Sequence, residues 1–221
     1  MDFNSVLIIS DCHLCAANCQ IDILINVLEK HKSNIELLVI NGDLFDSLDK
    51  RIPKKHWKFL NLIRKLSDDI DIYWVLGNHD KPHPEIIASI LGITAVDHFQ
   101  FRSGGNTFFC IHGDEFDDFI TKNKFITWLA DKFYQFLQYI DTSHFLAKFS
   151  KKTSKTFLRC KDKIKEKSLN KYGHEGIVVT GHTHFAENDG KYINCGCFTE
   201  LPCSYVLIQN GEISLIEEGK I

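Results

Sequence analysis

Five short clusters of Asp, His and Asn stand at the ends of apolar runs: Asp11-Cys12-His13, Gly42-Asp43-Leu44-Phe45-Asp46, Gly77-Asn78-His79-Asp80, His112-Gly113-Asp114 and Gly181-His182-Thr183-His184. Carboxylate, amide and imidazole are ligands that divalent cations accept, and the clusters supply enough of them for two ions. Asp43 has two carboxylate oxygens and is suited to bridging. Asp11 and His13 converge on one ion if strand geometry continues through them, and His182 and His184 have the same spacing. Ligands shared between two cations leave positions open for water and substrate, which is the arrangement for metal-assisted hydrolysis of a phosphate ester or anhydride. One Asp-x-His or Gly-Asp alone is turn chemistry; five such clusters in one chain are not.

Such residues need a scaffold that brings distant loops together. Short, nearly continuous apolar runs rich in β-branched and aromatic residues occur at 5–10, 36–41, 71–76, 106–111 and 177–180, the pattern of strands buried on both faces. Ile21, Leu24, Ile25 and Leu28 form one amphipathic stripe between them, and Trp57, Leu60, Ile63 and Leu66 form another that starts near Pro53 at a first helical position. The βαβαβ order predicts an α/β sheet with its ligand sites beyond the carboxyl ends of the strands, where all five clusters sit. Segments 192–194, 204–209 and 213–217 alternate with turns such as Asn210-Gly211 and predict a closing antiparallel portion. Residues 115–173 contain no Pro and no Gly before Gly173, and Ile126, Leu129, Phe133, Phe136, Leu137 and Ile140 have helical spacing. We read one domain over 1–221, with 115–173 as a helical insertion that caps the site.

A chain of 221 residues with 44% hydrophobic and 25% charged residues is long and apolar enough for a real core, which excludes a disordered or fibrous class. The net charge of −3 is unevenly placed: ten Lys and Arg between Lys148 and Lys171 are opposed only by Asp162 and Glu166, which suggests a local anionic partner. No apolar run is long enough to cross a bilayer, and Asp2 replaces the basic start of a signal segment, so a cytoplasmic protein is expected, with peripheral contact at a membrane face as an option. The eight cysteines lack paired CxxC spacing and read as reduced thiols; Cys12, Cys15 and Cys19 are too soft to match the oxygen and imidazole set beside them. His31, His56, His83, His98, His144 and His174 fall outside the clusters and read as surface or structural residues. Asp114, Asp117 and Asp118 suit either hydrogen bonding to ligands or solvation.

Taken in order, DxH, GDxxD, GNHD, HGD and GHTH resemble the calcineurin-like metallophosphoesterase family, and the resemblance spans Asp11 to His184. It implies a four-layer αββα sandwich and two divalent cations, Mn2+ favoured, with Fe, Zn or Ni as alternatives. The first ion would take Asp11, His13, Asp43 and His184, and the second Asp43, Asn78, His112 and His182. Asp43 and His79 would be catalytic, His79 contacting the substrate phosphate and aiding the leaving group, oriented by Asp46 or Asp80. Within the family, the run His112-Gly113-Asp114-Glu115-Phe116-Asp117 and the later Cys197-Phe198-Thr199-Glu200 resemble the UDP-2,3-diacylglucosamine diphosphatase branch. That implies cleavage of a glycolipid pyrophosphate to UMP and the lipid 1-phosphate, with Phe125, Trp128, Phe133, Lys152 and Lys155 as substrate contacts. The best-known enzymes of the branch carry Arg where this chain has His79. A broader phosphodiesterase or phosphatase acting on nucleotides or nucleic acid ends is the alternative, with lysines tracking phosphates. A non-catalytic binding scaffold would have lost ligands, and none is missing.

Overall fold

A strand that is apolar at every position must be covered on both faces, and the chain meets that demand by stacking two sheets between helices. The computed structural model describes residues 1–47, 51–81, 83–117 and 155–219. The first sheet contains β1 (Ser5–Ile9), β2 (Leu37–Asn41), β3 (Asp71–Val75), β4 (Thr94–Val96), β10 (Cys203–Gln209) and β11 (Glu212–Glu218) in the order β11-β10-β1-β2-β3-β4. The second contains β5 (Phe99–Ser103), β6 (Asn106–Cys110), β7 (Ile177–Thr180), β8 (Glu187–Asn188) and β9 (Tyr192–Asn194) in the order β5-β6-β7-β9-β8. β1 to β4 pair in parallel, as do β6, β7 and β9, while β10 and β11 close the first sheet antiparallel.

Alternate residues of one strand enter different cores. Leu7 and Ile9 of β1 and Leu38 and Ile40 of β2 face the helices α1 (Ile21–His31), α2 (Lys54–Leu66) and α3 (Pro84–Leu91). Val6, Ile8, Leu37 and Val39 point the other way, onto Phe101, Phe108, Cys110 and Val179 of the second sheet. The outer face of that sheet, with Phe109, Val178 and Tyr192, is covered by Leu169 and Tyr172 of α4 (Lys155–Tyr172). The layers are therefore αββα, as expected from the motif order.

Differences from the sequence reading are local. Pro53 precedes α2 as its cap, with φ −60° and ψ 147°, because its missing N–H costs nothing there. The buried stripe of α2 is His56, Phe59, Leu60, Ile63 and Leu66; Trp57 lies off it and is 47% exposed. α3 was not anticipated, although Pro84 at its start and Gly92 in a left-handed cap are the usual boundary residues. Nor was the β5–β6 hairpin, which turns at Gly104-Gly105.

Of the expected 115–173 cap, residues 155–172 form α4, a layer of the sandwich itself, while 118–154 lie outside the described residues, and with them Phe125, Trp128, Phe133 and Lys152; the Lys155 side chain is likewise not described. The basic stretch is also less naked than it reads. Lys161 and Lys165 both pair with Glu187 of β8, Lys165 also reaches Asp189, and Lys171 pairs with Glu115. Sequence counting missed these partners because they lie on other elements.

Candidate metal centre

All five clusters lie just past the carboxyl ends of parallel strands, three on the first sheet and two on the second. Asp11 and His13 follow β1, Asp43 follows β2, Asn78 and His79 follow β3, His112 follows β6, and His182 and His184 follow β7. The loops are laced in pairs. Backbone N–H groups of Asp11, His13 and Leu14 donate to the carbonyls of Gly42, Asp43 and Leu44, and Gly181 N–H donates to the His112 carbonyl. Asn41 joins the sheets by donating from Nδ2 to the Ile111 carbonyl at 3.0 Å.

The convergence does not come from continued strand geometry. Asp11, His13, Asp43, His182 and His184 all have positive φ, between 45° and 64°. After β1, β2 and β7 a left-handed residue turns the chain sharply, at a cost of about 1–3 kcal/mol each that the surrounding packing must offset. The preceding glycines are steric necessities: a Cβ on Gly42 would overlap the His112 ring, and one on Gly77 would overlap the Asp43 carboxylate.

Two clusters of ligand atoms result. Asp11 Oδ1 lies 3.0 Å from His184 Nε2 and 3.8 Å from His13 Nε2, and the two imidazole nitrogens are 3.3 Å apart. Asp11 Oδ2 is turned away and accepts the His182 backbone N–H, with the Ser10 hydroxyl 2.5 Å distant. Asp43, His112 and His182 form the second cluster. Asp43 Oδ2 stands 3.2 Å from His112 Nε2 and 3.6 Å from His13 Nε2, so one oxygen faces both clusters, while Oδ1 accepts the His79 backbone N–H. Bridging was expected from the two oxygens of this carboxylate; the geometry gives both clusters the same one.

Tautomers are set from behind. His112 Nδ1 lies 3.1 Å from the Asn41 carbonyl, to which it can only donate, so Nε2 is the nitrogen that faces Asp43 Oδ2. His182 Nε2 contacts the Asp117 carboxylate at 3.1 Å, which resolves the two options open for Asp117 in favour of bonding. His79 Nδ1 donates to the Asp46 backbone carbonyl at 3.0 Å. The side chain of Asp46 instead approaches His13 Nδ1 at 3.8 Å. The bonds of Asp80 run to the loops. It is fully buried and accepts from the N–H groups of Asp43, Phe45 and Gly77 and from Trp74 Nε1, so it fixes the loops rather than the imidazole. Thr199 and Glu200, placed beside His184 Nδ1, carried no ligand-like spacing in the sequence that would have revealed them.

Charge and burial pull against one another throughout the site. Burial alone would raise the Asp11 and Asp43 carboxyls, but His184 beside the first and His112 beside the second hold both well below the usual carboxylate range. Burial would lower His112, yet Asp43 pushes it well above the ordinary imidazole value; His13, between Asp11 and Asp46, rises to about 9. Asp11 Oδ1, Asn78 Oδ1 and His112 Nε2 are buried and make no hydrogen bond, despite the close approaches given above. Buried polar atoms are ordinarily bonded, and a cation would satisfy atoms of this kind. An oxygen and imidazole set of this kind fits divalent cations. None of Cys12, Cys15 and Cys19 joins a candidate metal group among the described residues, and none of the eight cysteines is in a disulfide.

The family model described as calcineurin-like phosphoesterase matches residues 5–186. No curated protein matches the chain. Among solved structures, a predicted phosphoesterase from Streptococcus pneumoniae is 15% identical, with a TM-score of 0.42 and 99% of each chain covered. Vacuolar protein sorting 29 from Cryptosporidium parvum is 15% identical with a TM-score of 0.44, again over 99% of each chain. Nuclease MPE from Pseudomonas putida is 25% identical with a TM-score of 0.32, over 41% of this chain and 46% of that one.

Proposed function

The chain belongs to the calcineurin-like phosphoesterase family, and on that premise we propose that Asp11, His13, Asp43 and His184 hold one divalent cation and Asp43, Asn78, His112 and His182 a second. The observation that carries this reading is the position of Asp43 Oδ2, 3.6 Å from His13 Nε2 and 3.2 Å from His112 Nε2. Held there, two cations would supply Lewis acidity toward phosphoryl oxygens and toward a water.

The remaining work falls to the protein. Asp43 keeps the clusters at a fixed separation because its Oδ1 is tied to the His79 N–H. His79, whose Nδ1 proton is committed to the Asp46 carbonyl, has Nε2 left to carry a proton toward the departing oxygen. Its ring stands edge-on to His13 with centroids 5.0 Å apart, next to the first cluster. Mn2+ is the cation we favour.

For the substrate we propose the pyrophosphate of UDP-2,3-diacylglucosamine, cleaved to UMP and the lipid 1-phosphate beside a membrane surface. The support is the motif run from His112 to Asp117 together with Cys197 to Glu200. No described helix is long and apolar enough to cross a membrane. The second reading, a nucleotide or nucleic-acid-end phosphoesterase, is favoured by a cavity of about 280 Å3 beside His112, whose lining includes Lys81, Asp97, His98 and Glu115. Such a polar lining suits a nucleoside better than acyl chains. Incubation of Mn-loaded protein with UDP-2,3-diacylglucosamine, with Asp43→Asn alongside, tests both. UMP from the wild type alone supports the first reading. Turnover of a generic phosphodiester without UMP release keeps the two-cation chemistry and discards the glycolipid.

A further inference from the structure

His184 presents Nε2 to the first ligand cluster, and what lies behind its Nδ1 decides whether that nitrogen is available. Thr199 Oγ1 is 3.3 Å from His184 Nδ1 and donates to Cys197 Sγ at 3.4 Å. A threonine hydroxyl has one proton. If that proton goes to the sulfur, the oxygen can only accept from His184, so Nδ1 carries the hydrogen and Nε2 keeps its lone pair, aimed at the point it shares with Asp11 Oδ1 and His13 Nε2. We infer that Thr199 is a positioning residue that fixes the tautomer and ring plane of His184, with Cys197 as the acceptor that orients the hydroxyl. The inference rests on the two-cation reading above.

The rest of the segment is built to hold Thr199 in that place. Phe198 N–H donates to the Asp11 carbonyl at 3.1 Å, and Gln20 N–H donates to the Phe198 carbonyl at 2.7 Å. Asn18 Nδ2 donates to the Thr199 carbonyl at 3.3 Å. Thr199 is thus held through its neighbour Phe198, which is bonded to the backbone of another ligand, Asp11. Thr199, Cys197 and Glu200 are all buried, so water does not compete for the imidazole proton. Glu200 Oε1, 3.9 Å from Nδ1, lies beyond hydrogen-bond range and adds a favourable charge for an imidazole bound to a cation.

The test is a Co2+ titration followed by visible absorption on the wild type, Thr199→Val and Thr199→Ser. Valine keeps the volume and removes the hydroxyl; serine keeps the hydroxyl. We expect wild type and Thr199→Ser to bind two ions alike. Thr199→Val should lose about 10- to 100-fold in affinity at one step only, with the melting temperature of the cation-free chain little changed. Wild-type affinity in Thr199→Val overturns the inference, and equal losses in Thr199→Ser and Thr199→Val assign the effect to packing and overturn it too. A sulfur-to-cobalt charge-transfer band that disappears in Cys197→Ala makes Cys197 a ligand, and also overturns it. Failure of the wild type to bind two ions instead removes the two-cation reading on which the inference stands.

Discussion

The carboxylate of Asp80 accepts the backbone N–H of Asp43 at 2.8 Å, so the loop bearing the bridging candidate is held by a residue from the following strand loop. The same carboxylate takes Trp74 Nε1–H at 3.1 Å and Gly77 N–H at 2.9 Å. Removing this acceptor strands several buried donors at once, each at a cost of about 1–3 kcal/mol. Asp80→Ala is therefore expected to destabilise the chain by several kcal/mol in urea denaturation, whereas Trp74→Phe, which removes one donor together with its own need, costs about 1 kcal/mol. Equal losses would mean that Asp80 is not the node.

Cation binding is expected to expel protons. In the cation-free chain His13 titrates near 9, raised against burial by Asp11 and Asp46, so it is charged at neutral pH. Its folded value exceeds the unfolded value of about 6.5, so its contribution to cation-free stability is full below about 6.5 and is lost as pH rises through about 9. Over that window the ligands become free for a cation. The gap in melting temperature between Mn-loaded and chelated protein should widen from pH 6.5 to 9, which thermal scans with and without chelator will read. A gap independent of pH would refute the coupling.

His79→Ala should lower kcat by about 100- to 10,000-fold, the span for a lost acid–base group, while both cations stay bound. The N–H that holds Asp43 Oδ1 belongs to the backbone and survives the substitution. Metal analysis beside kinetics separates the outcomes; loss of a cation would make His79 part of the ligand framework.

The lysines of α4 are counted differently by sequence and by structure. Glu187 accepts from both Lys161 and Lys165, at side-chain exposures of 12 to 22%. Glu187→Gln should therefore delay elution from a heparin column, because Lys161 and Lys165 lose a shared partner and keep only Asp162 and Asp189. Unchanged elution would show that these lysines already face solution as free charges.

Much of this site could be read from the chain before any coordinates. β1, β2, β3, β6 and β7 fall within one residue of the apolar runs, because a strand covered on both faces needs a nearly continuous stretch of aliphatic, aromatic or β-branched residues. The ligand clusters were legible because they end those runs. What stayed hidden depends on distance in sequence. Glu187 is far from Lys161 along the chain, Thr199 reaches His184 only through the fold, and the Asn41 carbonyl that orients His112 has no side-chain signature at all. The DxH pair meets in one cluster while His182 and His184 of the HxH pair go to different ones, and left-handed residues rather than strand alternation turn these side chains.

Those left-handed residues carry a consequence for how the site can be interrogated and how it can vary. Asn, Asp and His are the non-glycine types that tolerate this backbone region best, and they are also the types that donate oxygen or nitrogen to a cation. The vocabulary of the site is thus restricted twice over, once by coordination and once by torsion. Valine or isoleucine at Asp11, Asp43 or His184 would violate both restrictions together and report mainly on misfolding. Asparagine satisfies the torsion while changing the donor, so an asparagine scan of these positions isolates coordination, and drift at them should be confined to the same narrow set of residues.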